Sequence, residues 1–296
     1  MHLLKMEFTR LFKQKSTYII GGVLAILLIF SLVMSFFMMR AFEKFLEDIP
    51  EADVTQSEVM EEDEEDLESG ISIEGDVNSM EDMFGANENP GENQFINNFQ
   101  GMNTALYLAI FASIFFAAPY RHGFAKNFLD VKKNRKVYPL LQFLVGAFYL
   151  LILMILTCLV YSLTSLILNY EPFLIKNFNL LWAPLGVQFV GHLALMSLIL
   201  ALVSLTQSMG AGLLFGIIYP QMLGPIFYNL MGWALIKVFK LKEDFQFIAY
   251  TSLGAIKLTG IGSDTKQIVT SLVVSVLVMI IGLVVSSLAL QIRDIK

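Results

Sequence analysis

Long runs of residues without a single charge constrain this 296-residue chain more than any other feature. The runs cover 18–39, 93–120, 137–170, 177–236 and 267–292. Each exceeds the roughly 20 apolar residues that a helix needs to cross the bilayer core. With 56% hydrophobic residues, the chain is predicted to be an all-α membrane protein, because helices satisfy their own backbone groups in lipid. A cytosolic enzyme and a peripherally anchored protein are excluded.

The longest run, 177–236, is about three times the length of one membrane span. Polar and glycine residues at 206–212 divide it into two helices. The chain therefore has six predicted spans: the first at 17–39, and five more within 103–296, at 103–119, 138–168, 183–205, 211–235 and 268–291. The first is interpreted as a retained span, because its apolar run is longer than the roughly 7–15 residues of a signal-peptide core.

Lysine and arginine stay on the cytoplasmic side of short loops, and they set the predicted orientation. Segment 1–16 contains four basic residues and one acidic residue, Glu7. Segment 120–137 contains six basic residues and one acidic residue, Asp130. Both segments are predicted to be cytoplasmic, which places both termini inside the cell. Lys237, Lys240 and Lys242 would then lie outside, against the rule.

Segment 1–16 also has the periodicity of an amphipathic helix. Leu4, Phe8, Leu11 and Phe12 recur at spacings of three and four residues, and basic residues occupy the other face. Such a helix is predicted to lie along the cytoplasmic interface with its apolar side in lipid.

Residues 40–102 are predicted to form an acidic, largely disordered extracellular loop. Within it, residues 41–100 hold 19 of the 26 acidic residues and one base, Lys44. Like charges repel, and few apolar groups are available to offset the entropy of ordering. Short amphipathic stretches at 41–49 and 95–99 are expected to extend the neighbouring helices. The loop is either simply solvated or collects a cationic substrate or partner outside the cell, through Glu61, Glu62, Asp63, Glu64, Glu65 and Asp66.

The sequence carries no motif for catalysis or ATP hydrolysis of its own. The nearest approach to a phosphate-binding loop, 260–266, has Thr265 where such loops place the glycine before lysine. Three histidines and a single cysteine, Cys158, offer little material for a catalytic or metal site. We therefore predict that the chain is not an enzyme and binds no metal or cofactor itself.

Polar residues inside the predicted spans are candidate substrate-pathway residues, since intramembrane polar groups are costly. Gln188 and His192 lie four apart on one helix face, and they either line a pathway or hydrogen-bond a neighbouring helix. In the fifth span, Gly212 and Gly216 permit close helix approach, and two prolines at 220 and 225 are expected to kink or interrupt the helix. The polar residues around that interruption either line a route or satisfy freed carbonyl groups: Tyr219, Gln221, Tyr228 and Asn229.

Residues 118–139 contain the most informative motif. The segment has a proline near each end, and aromatic residues alternate with bases between them. The pattern Arg-x-Gly-(Thr/Phe)-x-Lys-Asn, followed by a base shortly before the third span, is filled by Arg121, Gly123, Phe124, Lys126, Asn127 and Arg135. This resembles the first cytoplasmic loop of ABC-2 type exporter permeases, as does the layout of the whole chain. The alternative is a generic basic cytoplasmic loop.

The resemblance implies the transmembrane domain of an ABC-2 type exporter in a bacterial plasma membrane. It implies a dimer with a second permease subunit, alike or different, and separate cytosolic ABC ATPase subunits that bind ATP and Mg. Segment 120–136 would couple the two proteins, with Phe124 and Phe128 packed into the ATPase, and segment 237–266 would be re-entrant from the outer side. No nucleic acid partner is expected.

The predicted function is outward transport of an amphipathic or hydrophobic substrate. An antimicrobial or other amphipathic peptide is preferred, because the acidic loop would attract a cationic one, with a drug or lipid second. Two alternative hypotheses remain open. One is a non-transport sensor or assembly protein whose acidic ectodomain binds a partner, and the other is an ATP-independent carrier.

Overall fold

The computed structural model describes residues 2–47, 89–100, 103–121, 132–169, 173–240 and 247–292, and these are almost entirely helical, with no β-strand among them. The α-helices are α1 (His2–Lys13), α2 (Lys15–Glu47), α3 (Pro90–Gln100), α4 (Asn103–Arg121), α5 (Lys132–Leu168), α6 (Trp182–Thr206), α7 (Met209–Ile218), α8 (Gly224–Phe239), α9 (Ser252–Lys257) and α10 (Thr265–Ile292). Short 3-10 turns at Phe178–Leu181 and Phe247–Tyr250 precede α6 and α9, and a π-helical turn at Tyr219–Leu223 joins α7 to α8.

Six helical stretches of the described chain are long and apolar enough to cross a membrane. They are Lys15–Ala41, Pro90–Arg121, Arg135–Leu168, Phe178–Thr206, Met209–Phe239 and Thr265–Ile292. The prediction of an all-helical chain with six candidate membrane spans is confirmed. The second and fourth stretches, which contain α4 and α6, are the most buried of the six, so they form the centre of the bundle. Membrane orientation and the ABC-2 type assignment stay predictions.

The fourth and fifth spans separate where the sequence predicts a break. Helix α6 ends at Thr206, and Gln207 adopts a left-handed conformation with φ of 54°. The Ser208 side chain then accepts a hydrogen bond from the backbone N–H of Ala211 and caps the start of α7. A serine N-cap after a left-handed residue is a compact way to turn the chain between two helices.

The fifth span is interrupted around its two prolines. Neither Pro220 nor Pro225 has a backbone N–H, so the regular hydrogen-bond ladder fails there. The chain passes from α7 to α8 through the π-helical turn at Tyr219–Leu223, a local widening that often accompanies such a loss. The predicted interruption is therefore present.

Small residues bring the central helices into close contact. A methyl group added at Gly216 would lie 2.7 Å from Cβ of Ala109 on α4, and one at Gly212 would lie 2.9 Å from Oγ of Ser113. This confirms the prediction that the glycine pair permits close approach. A second close contact, between Gly282 of α10 and Ser197 of α6, was not predicted: an added methyl would lie 2.5 Å from the Ser197 hydroxyl.

Hydrogen bonds define the two ends of the bundle. At the basal end, α1 contacts the end of α4 and the start of α5, and the Ser287 hydroxyl of α10 donates to the Lys136 carbonyl. At the apical end, α3, the segment before α6, and α9 meet. The segments predicted to be cytoplasmic, as far as they are described, therefore share the basal end.

The end of the predicted acidic loop is a buried helix. The Glu92 carboxylate of α3 accepts hydrogen bonds from the backbone N–H groups of Lys176 and Asn177, at 2.7 and 2.5 Å. The Tyr161 hydroxyl donates to the Gly91 carbonyl at 3.0 Å. Because Phe95, Ile96 and Phe99 are also buried, α3 is fixed to the bundle. Residues 48–88, including Glu61–Asp66, lie outside the described residues.

The contact between α6 and α10 predicts a contrast between two glycine substitutions. Gly282→Ala should lower the free energy of unfolding by about 1–3 kcal/mol, because the new methyl overpacks against Ser197. Gly22→Ala has open space around it and should leave stability unchanged or raise it by up to about 1 kcal/mol. Thermal unfolding in detergent measures both variants, and equal melting temperatures would contradict this packing.

Candidate functional site

The coupling motif is described only at its two ends. Arg121 is the last residue of α4 and is exposed, and Arg135 lies in the first turn of α5 and is half-buried. Gly123, Phe124, Lys126, Asn127 and Phe128 lie outside the described residues. Their role stays a prediction. The structure describes the two helices on either side of them, α4 and α5.

The candidate pathway residues form two groups rather than one surface. Gln188 and His192 are fully buried in α6. The Tyr219 and Tyr228 hydroxyls lie 2.5 Å apart across the π-helical turn, whereas Gln221 and Asn229 are exposed. Both groups contact α9 or its neighbours: Gln188 hydrogen-bonds the end of α9, and Tyr228 packs on Phe247. Their part in transport stays a prediction.

Gln188 caps the short helix α9. Its side-chain amide donates to the carbonyl oxygens of Ile256 at 2.7 Å and Thr259 at 3.2 Å. The Ile256 carbonyl belongs to the last turn of α9, where no intrahelical donor is available, and Thr259 lies two residues beyond the helix. A neighbouring side chain is the only partner that an apolar environment offers, so this amide fixes α9 against α6. The pair's second residue, His192, has Nδ1 at 2.7 Å from the Gln188 carbonyl.

Residues 247–257 fold back deep into the bundle. Ile256 lies beside Gly191, where an added methyl would be 2.9 Å from its Cγ1. Gly191 is nine residues into α6, which corresponds to about 14 Å along the helix. The path is consistent with the predicted re-entrant segment 237–266, of which 241–246 lie outside the described residues.

At the basal end, α1 is attached to the bundle by its apolar face. Leu11 is fully buried, and the Phe8 ring meets the Phe148 ring of α5 edge-on with centroids 5.3 Å apart. Lys5, Thr9 and Phe12 remain exposed. Most of the face expected to lie in lipid therefore packs on protein instead, because it carries the Glu7 carboxylate, which lipid cannot hydrogen-bond.

Arg10 of α1 joins three parts of the chain. Its Nη2 donates to the carbonyl oxygen of Phe115 near the end of α4 at 3.0 Å, and its Nη1 donates to the Tyr138 hydroxyl of α5 at 3.3 Å. It also forms an ion pair with Glu7, with Nη2 and Oε2 2.7 Å apart. The Tyr138 hydroxyl in turn donates to Oε1 of Glu7 at 3.0 Å. We call these four residues the basal clamp.

Pro119 explains why the clamp contacts the Phe115 carbonyl. In a regular helix this oxygen would accept a hydrogen bond from the residue four positions later, which is Pro119 and has no N–H. The Arg10 guanidinium supplies the missing donor and also lies over the Phe115 ring, 4.1 Å from its centroid. This proline in the last turn of α4 therefore creates the binding site for the N-terminal helix.

The clamp holds together both helices from which segment 122–131 emerges. Phe115 lies just before that segment and Tyr138 just after it, and Arg10 bonds to both. The clamp therefore links α1, α4 and α5 to one another at the basal end. The ion pair and hydrogen bonds of the clamp suit a mechanical link between the basal ends of these helices.

Burial dominates the electrostatics of Glu7. The side chain is fully buried, and this desolvation raises the pKa of the carboxyl above its ordinary value of 4.5. The positive charge of Arg10 and the hydrogen bond from Tyr138 act in the opposite direction and offset part of the increase.

Sequence reasoning singled out neither Arg10 nor Tyr138, and it treated Glu7 only as a minority acid in a basic segment. A signal was present: Pro119 predicts an unsatisfied carbonyl at position 115. Which residue satisfies it depends on contacts between residues more than 100 positions apart, which no local pattern contains. Among the described residues, no cluster of three or more His, Cys, Asp or Glu side chains is placed to hold a metal ion.

Comparisons with known protein families, with curated proteins and with solved structures found no match to this chain.

The clamp predicts a strong, non-additive effect of removing Arg10. Arg10→Met should lower the free energy of unfolding by about 3–5 kcal/mol, because it leaves Glu7 buried without its ion pair and the Phe115 carbonyl without a donor. The double variant Glu7→Gln, Arg10→Met should lose clearly less than the two single effects combined. Denaturant titration in detergent measures these values. As a control, Lys13→Met removes an exposed charge from the same helix and should change the free energy of unfolding by less than about 0.5 kcal/mol. If Arg10→Met lowers the free energy of unfolding no more than Lys13→Met does, the clamp is refuted.

The raised pKa of Glu7 predicts a pH dependence with a definite sign. The folded protein binds a proton at Glu7 more tightly than the unfolded chain does. This contribution is complete below the unfolded pKa and is lost as pH rises through the folded pKa. The melting temperature of the wild type relative to Glu7→Gln should therefore decrease as pH rises above the ordinary pKa of 4.5. An increase over this range would mean that Arg10 outweighs burial.

Proposed function

We propose that this chain is the membrane-spanning permease subunit of an ATP-driven exporter of the ABC-2 type. It would move an amphipathic or hydrophobic substrate outward across a bacterial plasma membrane, and a separate cytosolic ATPase would hydrolyse ATP. A second permease subunit would complete the translocation unit. Both termini and the basal end would face the cytosol.

The basal clamp is the observation that carries this proposal. An exporter whose motor is a separate protein needs a docking segment whose movement reaches the spans. Segment 122–131 emerges from α4 and α5, and the clamp connects those helices to each other and to α1 through Arg10. The motif from Arg121 to Asn127, which resembles the coupling loop of such permeases, lies within or beside this segment.

The motifs and charges of the chain also favour an exporter whose ATPase is a separate protein. The sequence has no phosphate-binding loop, so ATP hydrolysis would fall to a separate protein. Exposed bases near the clamp, Lys5, Lys13, Arg121 and Lys136, suit both an acidic protein surface and anionic lipid headgroups.

For the substrate, an amphipathic cationic peptide is preferred over a drug or lipid. The acidic segment 41–100 would raise the local concentration of cations on the outer side, and α3 would hold its end against the bundle through Glu92. A sensor or assembly protein with an acidic ectodomain is the alternative hypothesis, and it requires no ATPase.

Copurification tests the proposal. A tagged chain extracted from its native membrane should bring down an ATPase that has its own phosphate-binding loop. Phe124→Asp, or charge reversal at Arg121 and Lys126, should reduce that recovery by about tenfold or more, since each puts charge repulsion or an unpaired charge at the contact. Lys257→Glu, a charge reversal on α9 at the apical end, is the matched control.

Three results would count against the exporter. No ATPase recovered with the wild-type chain favours the sensor or assembly protein. An equal loss on Lys257→Glu would show a general folding defect instead of a basal contact. Transport that follows an ion gradient without any ATPase would favour the carrier.

A further inference from the structure

A cleft lies between the first three candidate spans on the side of α2. Its volume is about 350 Å³, at the lower end of the range for ligand pockets, which is about 300–1,000 Å³. Residues from α2, α3, α4 and α5 line it. Leu27 is 48% exposed at its edge, so the cleft opens to the surroundings of the bundle.

The cleft begins near the middle of α2. Leu28 is the central residue of the stretch Lys15–Ala41, whereas Leu106 lies in the first turn of α4 and Asn98 lies on α3, both toward the apical end. The cleft therefore reaches from the middle of α2 toward the apical end.

The lining differs between its walls and along its length. The α2 wall is mostly leucine, Thr104, Tyr107 and Thr157 place hydroxyl groups along α4 and α5, and the two amides, Asn98 and Asn103, lie at the apical end. Amide and hydroxyl groups at membrane depth are costly when they face hydrocarbon alone. A bare hydrocarbon chain would contact the leucines but offer no hydrogen bond to the amide and hydroxyl groups.

The lining indicates which kind of headgroup a bound amphiphile would carry. None of the described lining residues is charged, so a charged headgroup would find no counter-ion there. The amide nitrogen of Asn98 donates to the Gln94 carbonyl at 2.9 Å. Its side-chain oxygen is an acceptor, which suits a ligand that carries an O–H or N–H donor.

We infer that this cleft binds a neutral, single-chain amphiphile, with its hydrogen-bonding head at Asn98 and Asn103 and its hydrocarbon chain along the leucines of α2 and α4. The inference does not depend on the proposed export function, because the site is formed within one chain and binding requires no ATPase.

Photolabelling of the purified full chain in phospholipid nanodiscs tests the site. The probe is a monoacylglycerol with a photoactivatable diazirine in its chain, and mass spectrometry identifies the labelled peptides. Labelling should concentrate on the peptides that contain Leu24–Ser31 and Asn98–Tyr107. Monooleoylglycerol should compete at least about tenfold better than monooleoyl phosphatidic acid, which differs only by a charged phosphate, and better than octadecene, which has no head.

Adjacent asparagines provide a matched pair of variants. Asn98→Leu and Asn103→Leu should each raise the probe concentration for half-maximal labelling by about tenfold, the effect expected from loss of one hydrogen bond to the head. Asn97→Leu lies on the same helix, where residue 97 is exposed and does not line the cleft, and it should change that concentration by less than about twofold.

Several outcomes would overturn the inference. Uniform labelling of all spans, or equal competition by octadecene, would reduce the cleft to a surface coated by ordinary lipid. Equal competition by the phosphatidic acid would reject a neutral head, and that comparison uses the wild-type protein, so it stands even if a variant fails to fold.

Discussion

A backbone carbonyl left without a donor in an apolar environment is the constraint on which this structure depends. Pro119 frees the Phe115 carbonyl at one end of the bundle, and the termination of α9 frees the Ile256 carbonyl at the other. Arg10 of α1 satisfies the first and Gln188 of α6 the second. In both places a side chain from another helix donates a hydrogen bond to the free carbonyl. The same hydrogen bond holds a peripheral helix, α1 or α9, against a central helix.

The helices differ in burial: the central ones are packed on several sides, and the outer ones are more exposed. Helices α4 and α6 lie at the centre, where small residues at 212, 216 and 282 admit close neighbours. Stretches Lys15–Ala41, Met209–Phe239 and Thr265–Ile292 keep most of their surface free. Under the proposed export function, force would enter at the basal end, pass through the central helices, and change the packing of the outer helices against lipid or a second subunit.

The apolar runs and two prolines were sufficient to predict six spans and the interruption of the fifth, because both follow from local rules about length and missing donors. The helix at Pro90–Gln100 was predicted only in part: its apolar positions at 95 and 99 are visible in the sequence, but its attachment through Glu92 depends on backbone N–H groups 84 and 85 residues away. The basal clamp shows the same limit. Periodicity identified the amphipathic face of α1 but not the surface that covers it, since lipid and α5 are equally apolar partners until the Glu7 carboxylate is considered.

Cross-linking of α1 to α5 in native membranes tests the central claim most directly. In a Cys158→Ser background, cysteines at Phe8 and Phe148 replace two rings that are in edge-on contact and leave the clamp residues intact. The account predicts efficient cross-linking by a short bifunctional thiol reagent, and a large loss of cross-linking when Arg10→Met is added. Absence of cross-linking in the parent pair, or the same yield with and without Arg10, would contradict it.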